Sequence, residues 1–327
     1  MFKRILVPLD GSLRAERALT IAARLARAAD GTVILLQVIG LPAEFGGYAY
    51  GSFAAQNPAM NQEVLDAEQA KAMDYLKTVR QSQKLVGVKV ETTVEMGLAA
   101  STIQGLANEE RIDLIVMCSH GDTGFKRWVL GSVAQKVSRA SQVPVLVLRE
   151  DGTAPDNTFP DPLRPLRSIM AMVALDGSEF AESAITPAAT LVAALATPAR
   201  GMLLLTHAMP PSEQGNTPET QEQALSVAQT YLRDAAHKYA GAAEKLNVTL
   251  QTAVSTGKDV VDALIRAAER GDEADGKRMT GTCDLIAITT HGRGGLQRLA
   301  MGSVTESMLG ATKLPLLVVH SDVHATR

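Results

Sequence analysis

The sequence is short of the residues that build most specialised proteins. It has two cysteines, Cys118 and Cys283, in 327 residues, too few for a disulfide framework or a zinc cluster, and both fall inside or just before predicted strands, as buried thiols do. Aromatics are only 4% of the chain, which with its aliphatic content marks neither a disordered nor a fibrous composition. Charge of neither sign dominates: 32 basic and 35 acidic residues leave a net charge of −3, and nothing draws the chain toward phosphate backbones or anionic lipid. No apolar run approaches the ~20 residues that span a bilayer. The first residues, MFKRILVPLDGS, enter a strand pattern directly, without the pattern of a signal peptide. These absences predict a cytoplasmic protein with neither nucleic acid nor membrane as partner.

What is present is aliphatic and repeated. Hydrophobic residues make up 46% of the chain, enough for sizeable cores, and its length suggests two domains. Self-similarity supports that count. RILVPLDGS returns as IMAMVALDGS, DLIVMCSHG as DLIAITTHG, and QVPVLVL as KLPLLVV. Between the copies, EDGTAPDNTFPDPLRP is rich in Pro, Asp and Gly and has no hydrophobic period. The expected organisation is a domain over 1–149, a linker over 150–166 and a second domain over 167–321.

Within the first copy, apolar β-branched runs near 4–9, 32–38, 88–94, 112–118 and 144–148 alternate with helical patterns near 12–29, 62–84, 98–109 and 132–141. Strands apolar throughout and separated by helices form a parallel sheet covered on both faces. The fold class is therefore α/β, with two doubly wound five-stranded parallel-sheet sandwiches, Rossmann-like, in tandem. The fifth strands, PVLVL and PLLVV, are expected at sheet edges, where a leading proline is tolerated and where two such strands can pair antiparallel. Two departures from symmetry stand out. After its second strand the first copy carries the loop LPAEFGGYAYGSFAAQNP, and the second copy inserts GDEADGKRMTGT before its fourth strand.

In such a sheet, ligands gather beyond the carboxyl ends of the strands, at the switch point of the winding. There the fourth strand of each copy runs into a glycine, nine further residues, and a Gly-Ser pair that opens a helix: Gly121 with Gly131-Ser132, and Gly292 with Gly302-Ser303. A residue without a side chain lets backbone N–H groups approach a bulky anion. The first amides of a helix lack partners within it and lie at its positive end, which suits a phosphate. An ordinary N-cap by the serine is the structural alternative. The loops are neither P-loops nor dinucleotide fingerprints, because neither GxxxxGK[ST] nor GxGxxG occurs in them. Asp122 follows Gly121 in the first loop where the second has Arg293, and a guanidinium suits a triphosphate better. His120 and His291 precede the loop glycines without a second ligand at metal spacing or an adjoining nucleophile-base pair. Catalytic and metal residues are thus none.

On these motifs the chain resembles a tandem universal stress protein. That family carries G-x2-G-x9-G-(S/T) after the fourth strand and an acidic residue at the end of the first, and the likeness extends over nearly all of both halves. The resemblance implies an adenine nucleotide alpha hydrolase-like fold and ATP, or ADP or AMP, as ligand, with Mg2+ held through the nucleotide phosphates. It places Gly121, Gly131, Ser132 and Val133, and likewise Gly292, Gly302, Ser303 and Val304, against ribose and triphosphate. Asp10 and Asp176 take the acidic position near adenine, and Val38 and Ala208 the position whose backbone reads the base. It also implies pairing of the two domains within the chain, and leaves open a homodimer of chains. Cys118 and Thr289 depart from the pattern, standing where its first glycine belongs. An empty scaffold acting through protein partners is the alternative function, and slow ATP hydrolysis the most enzymatic one.

Overall fold

The alternation read from the sequence builds one α/β layer pattern twice. The structure is a computed structural model that describes residues 1–40, 58–119, 130–149, 168–209, 218–271, 273–274, 277–278, 283–290 and 301–320. In the first copy β1 (Arg4–Leu9), β2 (Thr32–Ile39), β3 (Lys89–Met96) and β4 (Leu114–Cys118) lie in the order β3-β2-β1-β4, and every pairing among them is parallel. The central strands are apolar because both faces are covered: Ile5, Leu6, Val7, Leu114, Ile115 and Val116 have no exposed surface. The edge strand β3, KVETTVEM, keeps Lys89, Glu91 and Glu95 on its length, charges that discourage pairing with another chain.

Helices Ala18–Ala29, Pro58–Arg80, Ala99–Glu109 and Ser132–Ala140 connect these strands. The first begins later than its sequence pattern suggests. Residues 10–15 are held in a side-chain-capped turn, a single 3-10 turn Ala15–Arg17 follows, and only then does the α-helix start.

The compact units do not divide where the repeats do. One comprises Phe2–Lys126 and Gly131–Val143, the other mainly Pro144–Arg327. The fifth strand of the first copy, β5 (Val145–Leu148), therefore groups with the second unit. That unit also contains β6 (Met170–Leu175), β7 (Gly201–Met209), β8 (Val248–Thr256), a two-residue hairpin of β9 (Glu273–Ala274) and β10 (Lys277–Arg278), then β11 (Leu285–Thr289) and β12 (Leu316–Val319). The hairpin is where the inserted GDEADGKRMTGT lies. Strands run β5-β12-β11-β6-β7-β8, parallel throughout except for β5 against β12. That antiparallel register, Val147↔Leu316, Leu146↔Leu317 and Val145↔Val318, is the pairing of fifth strands expected from their apolar edges. The two remaining residues of these strands, Leu148 and Val319, are buried as well, at 5% and 3% exposure.

The shared Asp of DLIVM and DLIAI works at the far end of the sheet from any site. Asp113 Oδ2 accepts the amides of Lys3 (2.7 Å) and Arg4 (2.8 Å), and Asp284 Oδ2 accepts that of Met170 (2.8 Å), so each carboxylate ties the start of a central strand to its neighbour. Residues 150–166, expected as linker, lie outside the described residues.

Candidate functional site

The carboxyl ends of β1 and β4 bring together residues far apart in sequence. In the order β3-β2-β1-β4 the winding reverses between β1 and β4, which is where a ligand crevice is expected. A cavity of about 180 Å³ opens there, lined by Asp10 after β1, Val38 near the end of β2, Cys118 and Ser119 at the end of β4, and Gly131, Ser132 and Val133 at a helix start. All of these come from one unit. Leu36, Ala99, Ile103 and Met117 add an apolar wall that the sequence reading did not name. Its only advance signal is the two-residue spacing of Leu36 and Val38, which puts both on one face of β2.

Gly131 is the N-cap of helix Ser132–Ala140, with φ −61° and ψ 145°, and Gly302 is the N-cap of helix Ser303–Ala311, with φ −61° and ψ 144°. Neither cap has a side-chain hydrogen bond. The serines are thus the first helical residues, and both are exposed; the ordinary N-cap reading does not hold in either copy. A φ near −61° is open to any L-residue, so glycine is not required there by the backbone. What it contributes is the absence of a side chain over first-turn amides that have no acceptor within the helix. Each cap is fixed to the preceding strand: the Gly131 amide donates to the Ser119 carbonyl and that of Gly302 to the Thr290 carbonyl, both at 2.7 Å.

Asp10 and Asp176 occupy matching turns. Asp10 Oδ1 accepts from the Ser12 amide (3.0 Å) and hydroxyl (2.6 Å), and Ser12 Oγ accepts from the Ala15 amide (3.2 Å). Asp176 and Ser178 repeat this at 3.0 and 2.6 Å, with Ala181 donating to Ser178 at 3.1 Å. Between them Gly11 and Gly177 adopt φ of 87° and 88°, a conformation that favours glycine. The serine therefore caps the following turn and the aspartate orients its hydroxyl. Asp10 is exposed and lines the cavity, so one carboxylate serves the turn and faces the crevice.

The copies part where side chains enter the crevice. Cys118 is buried, and its thiol donates to the Arg14 carbonyl at 3.0 Å, tying β4 to the turn after β1. Thr289 holds the equivalent place, also buried. Where the first copy has Ala134, the second has Thr305, whose hydroxyl donates to the Thr289 carbonyl at 2.7 Å. Ala208, like Val38, is half-buried near the end of its strand, and Val304 follows Ser303 on the second helix as Val133 follows Ser132. Gly121, Gly292 and Arg293 lie outside the described residues, as do His120, Asp122 and His291. Cys283 sits away from the crevice, just before β11; burial, reinforced by neighbouring Asp284, pushes its thiol up to about 12, so it remains protonated at neutral pH. Among the described residues no group of three or more His, Cys, Asp or Glu could hold a metal ion. Nor is any helix among them long and apolar enough to cross a membrane.

Comparison with known proteins supplies the family and the fold. The sequence profile described as the Universal stress protein family matches residues 1–149 and again 170–320. A universal stress protein of Methanocaldococcus jannaschii is 32% identical over 150 residues, covering 46% of this chain and 84% of that protein. One of Mycobacterium tuberculosis is 27% identical over 246 residues, 73% of each chain. The crystal structure of a universal stress protein from Archaeoglobus fulgidus covers 98% of this chain and 97% of its own with a TM-score of 0.60 at 21% identity, a likeness of fold. The chain belongs to the universal stress protein family and carries two copies of its domain in tandem.

Proposed function

We propose that the protein is an adenine-nucleotide-binding regulator of the stress response, its two domains (1–149 and 167–321, joined by 150–166) forming a pseudo-dimer within one cytoplasmic chain. The observation that carries this reading is the duplicated helix start capped by a glycine whose conformation any residue could adopt. Bare amides at the positive end of a helix suit a phosphate, and in the first copy they border a cavity with an apolar wall fit for a base. At about 180 Å³ the described cavity is smaller than the roughly 300–1,000 Å³ of a whole small-molecule site, so it suits one moiety of a nucleotide. Asp10, a carboxylate at the rim, favours a neutral donor such as a hydroxyl or amine over the phosphates. Mg2+ would enter on the nucleotide, since it commonly keeps several waters and binds through substrate phosphates. One family member has been solved in complex with cAMP; here ATP, ADP or AMP is the class of ligand proposed. Occupancy would alter conformation or choice of partner, a second chain included, with at most slow hydrolysis.

Chromatography of nucleotide released on denaturation, followed by calorimetric titration of ATP, tests the reading. Gly131→Phe and Gly302→Phe each place a side chain over the amides, and each is expected to weaken its site tenfold or more, because one charge-assisted hydrogen bond is worth about 1.5–3 kcal/mol. No released nucleotide and no saturable binding at millimolar ATP would leave the second reading, a scaffold acting through protein partners. Cys118 and Thr289, side chains where the family pattern has glycine, are the observation that favours that alternative.

A further inference from the structure

The helix Ser303–Ala311 is electrostatically incomplete by itself. Its only ionisable residue is Glu306, in the first turn, and no basic residue occupies its last turn. The corresponding helix Ser132–Ala140 has no acidic residue in its first turn and carries Arg139 in its last. An acid near an anion-binding helix start and the lack of a basic residue within the last turn both lower the attraction for phosphate.

The missing cation comes from the other copy. Arg149 directly follows β5, the strand of the first repeat that pairs with β12, and its guanidinium is half-buried. One nitrogen, Nη2, donates to the carbonyls of Leu309 and of Met308, the latter at 3.4 Å. Both carbonyls are among the last four of the helix, which lack amide partners within it; that of Met308 also accepts the amide of the C-cap Thr312 at 3.1 Å. A permanent positive charge is thus fixed at the negative end of the helix whose positive end is the second candidate phosphate site.

We infer that Arg149, supplied by the first repeat, is a positioning residue for anion binding in the second. The inference rests on the nucleotide reading above. It holds the helix end in place and offsets its dipole, so that the amides after Gly302 present a more positive face to phosphate. The helix has nine residues and is roughly 13 Å long at ~1.5 Å per residue. Across that distance a unit charge still acts, though solvent and salt diminish it. The expected contribution is therefore roughly two- to tenfold in the affinity for a triphosphate, and it links occupancy of the second site to the pairing of the two fifth strands.

The test isolates the second site in Gly131→Phe protein and measures binding of ATP, AMP and adenosine by calorimetry at low and high salt. Arg149→Met is expected to weaken ATP roughly two- to tenfold, AMP less and adenosine not at all, with the loss shrinking at high salt and Arg149→Lys recovering most of it. A merely structural role would weaken all three ligands alike, and that result, or unchanged ATP affinity, overturns the inference. Glu306→Gln, at the other end of the helix, provides the check should Arg149→Met fold poorly: it is expected to tighten ATP most and adenosine least, and equal affinities would overturn the electrostatic coupling. Absence of any ATP binding in the Gly131→Phe parent refutes nucleotide binding at the second site, whereas binding that ignores Arg149 and Glu306 refutes the coupling alone.

Discussion

At the helix caps and Asp-Ser turns the two repeats make the same hydrogen bonds to within about a tenth of an ångström, and around them the side chains differ. The cap amides of Gly131 and Gly302 both reach their carbonyls at 2.7 Å, and the Asp-Ser turns repeat at 3.0 and 2.6 Å. Yet Cys118 stands opposite Thr289, and Ala134 opposite Thr305. Behind the turns, Glu16 accepts the Tyr75 hydroxyl at 3.3 Å, while its counterpart Glu182 accepts Lys238 Nζ at 2.7 Å. Burial, with Glu16 as second cause, raises the Tyr75 phenol; the hydrogen bond to Glu182 raises the Lys238 ammonium. A duplicated backbone gives both copies the same glycine-capped helix start. Diverged side chains then allow the copies to differ in what they hold and in what they pack against.

The largest test of that comparison concerns a glycine pair behind the sites. A Cβ on Gly257 would meet the Ala263 amide nitrogen at 2.7 Å and its Cα at 2.8 Å, whereas on Gly97, at φ +151°, it would meet the Thr102 hydroxyl at 2.6 Å. Backbone cannot rotate away and a hydroxyl can. Gly257→Ala is therefore expected to cost about 1–3 kcal/mol or more, the scale of overpacking, and Gly97→Ala about 1 kcal/mol from its backbone conformation. Urea midpoints for both variants check this, and equal losses would mean that the repeats are packed alike here.

Next come the two Asp-Ser turns, where the copies should behave identically. Ser12→Ala and Ser178→Ala are each expected to lower stability by about 1 kcal/mol, the usual value of such a cap, and a marked inequality in denaturant titration would break the equivalence of the turns. The smallest effect is expected at Ser138, fully buried with an Oγ that has no hydrogen-bond partner, at a position where the second repeat has Leu309. Removing a buried unsatisfied hydroxyl relieves its desolvation, so Ser138→Ala should be neutral or stabilise by up to about 1 kcal/mol in a thermal melt.

Much of the architecture was legible because strand and helix periods differ. The apolar runs RILVPL and LIVMC became buried parallel strands, since a strand covered on both faces has no polar positions to alternate. Boundaries were less legible: the helix expected from residue 12 begins at Ala18, because Asp10 and Ser12 satisfy the local amides in a turn and remove the need for an α-helical start. At the site, the glycine-serine pairs announced the helix openings. The role of each residue at the cap did not follow from them, as Gly-Ser reads equally well with either residue as N-cap. Leu36, Ala99, Ile103 and Met117 escaped notice because apolar residues in apolar elements carry no mark of the cavity they will line.

The chain's repetition, its α/β class and the positions of its bare helix openings were determined by sequence alone, since they depend on local period and on the absence of a side chain at Gly131 and Gly302. Only the tertiary structure decided which side chains meet there, that Asp10 serves through Ser12, and that the first repeat's Arg149 closes the second repeat's helix. The contacts of Cys118 with Arg14 and of Arg149 with Leu309 join residues more than a hundred positions apart, and no local pattern encodes the direction in which a distant guanidinium or thiol will point.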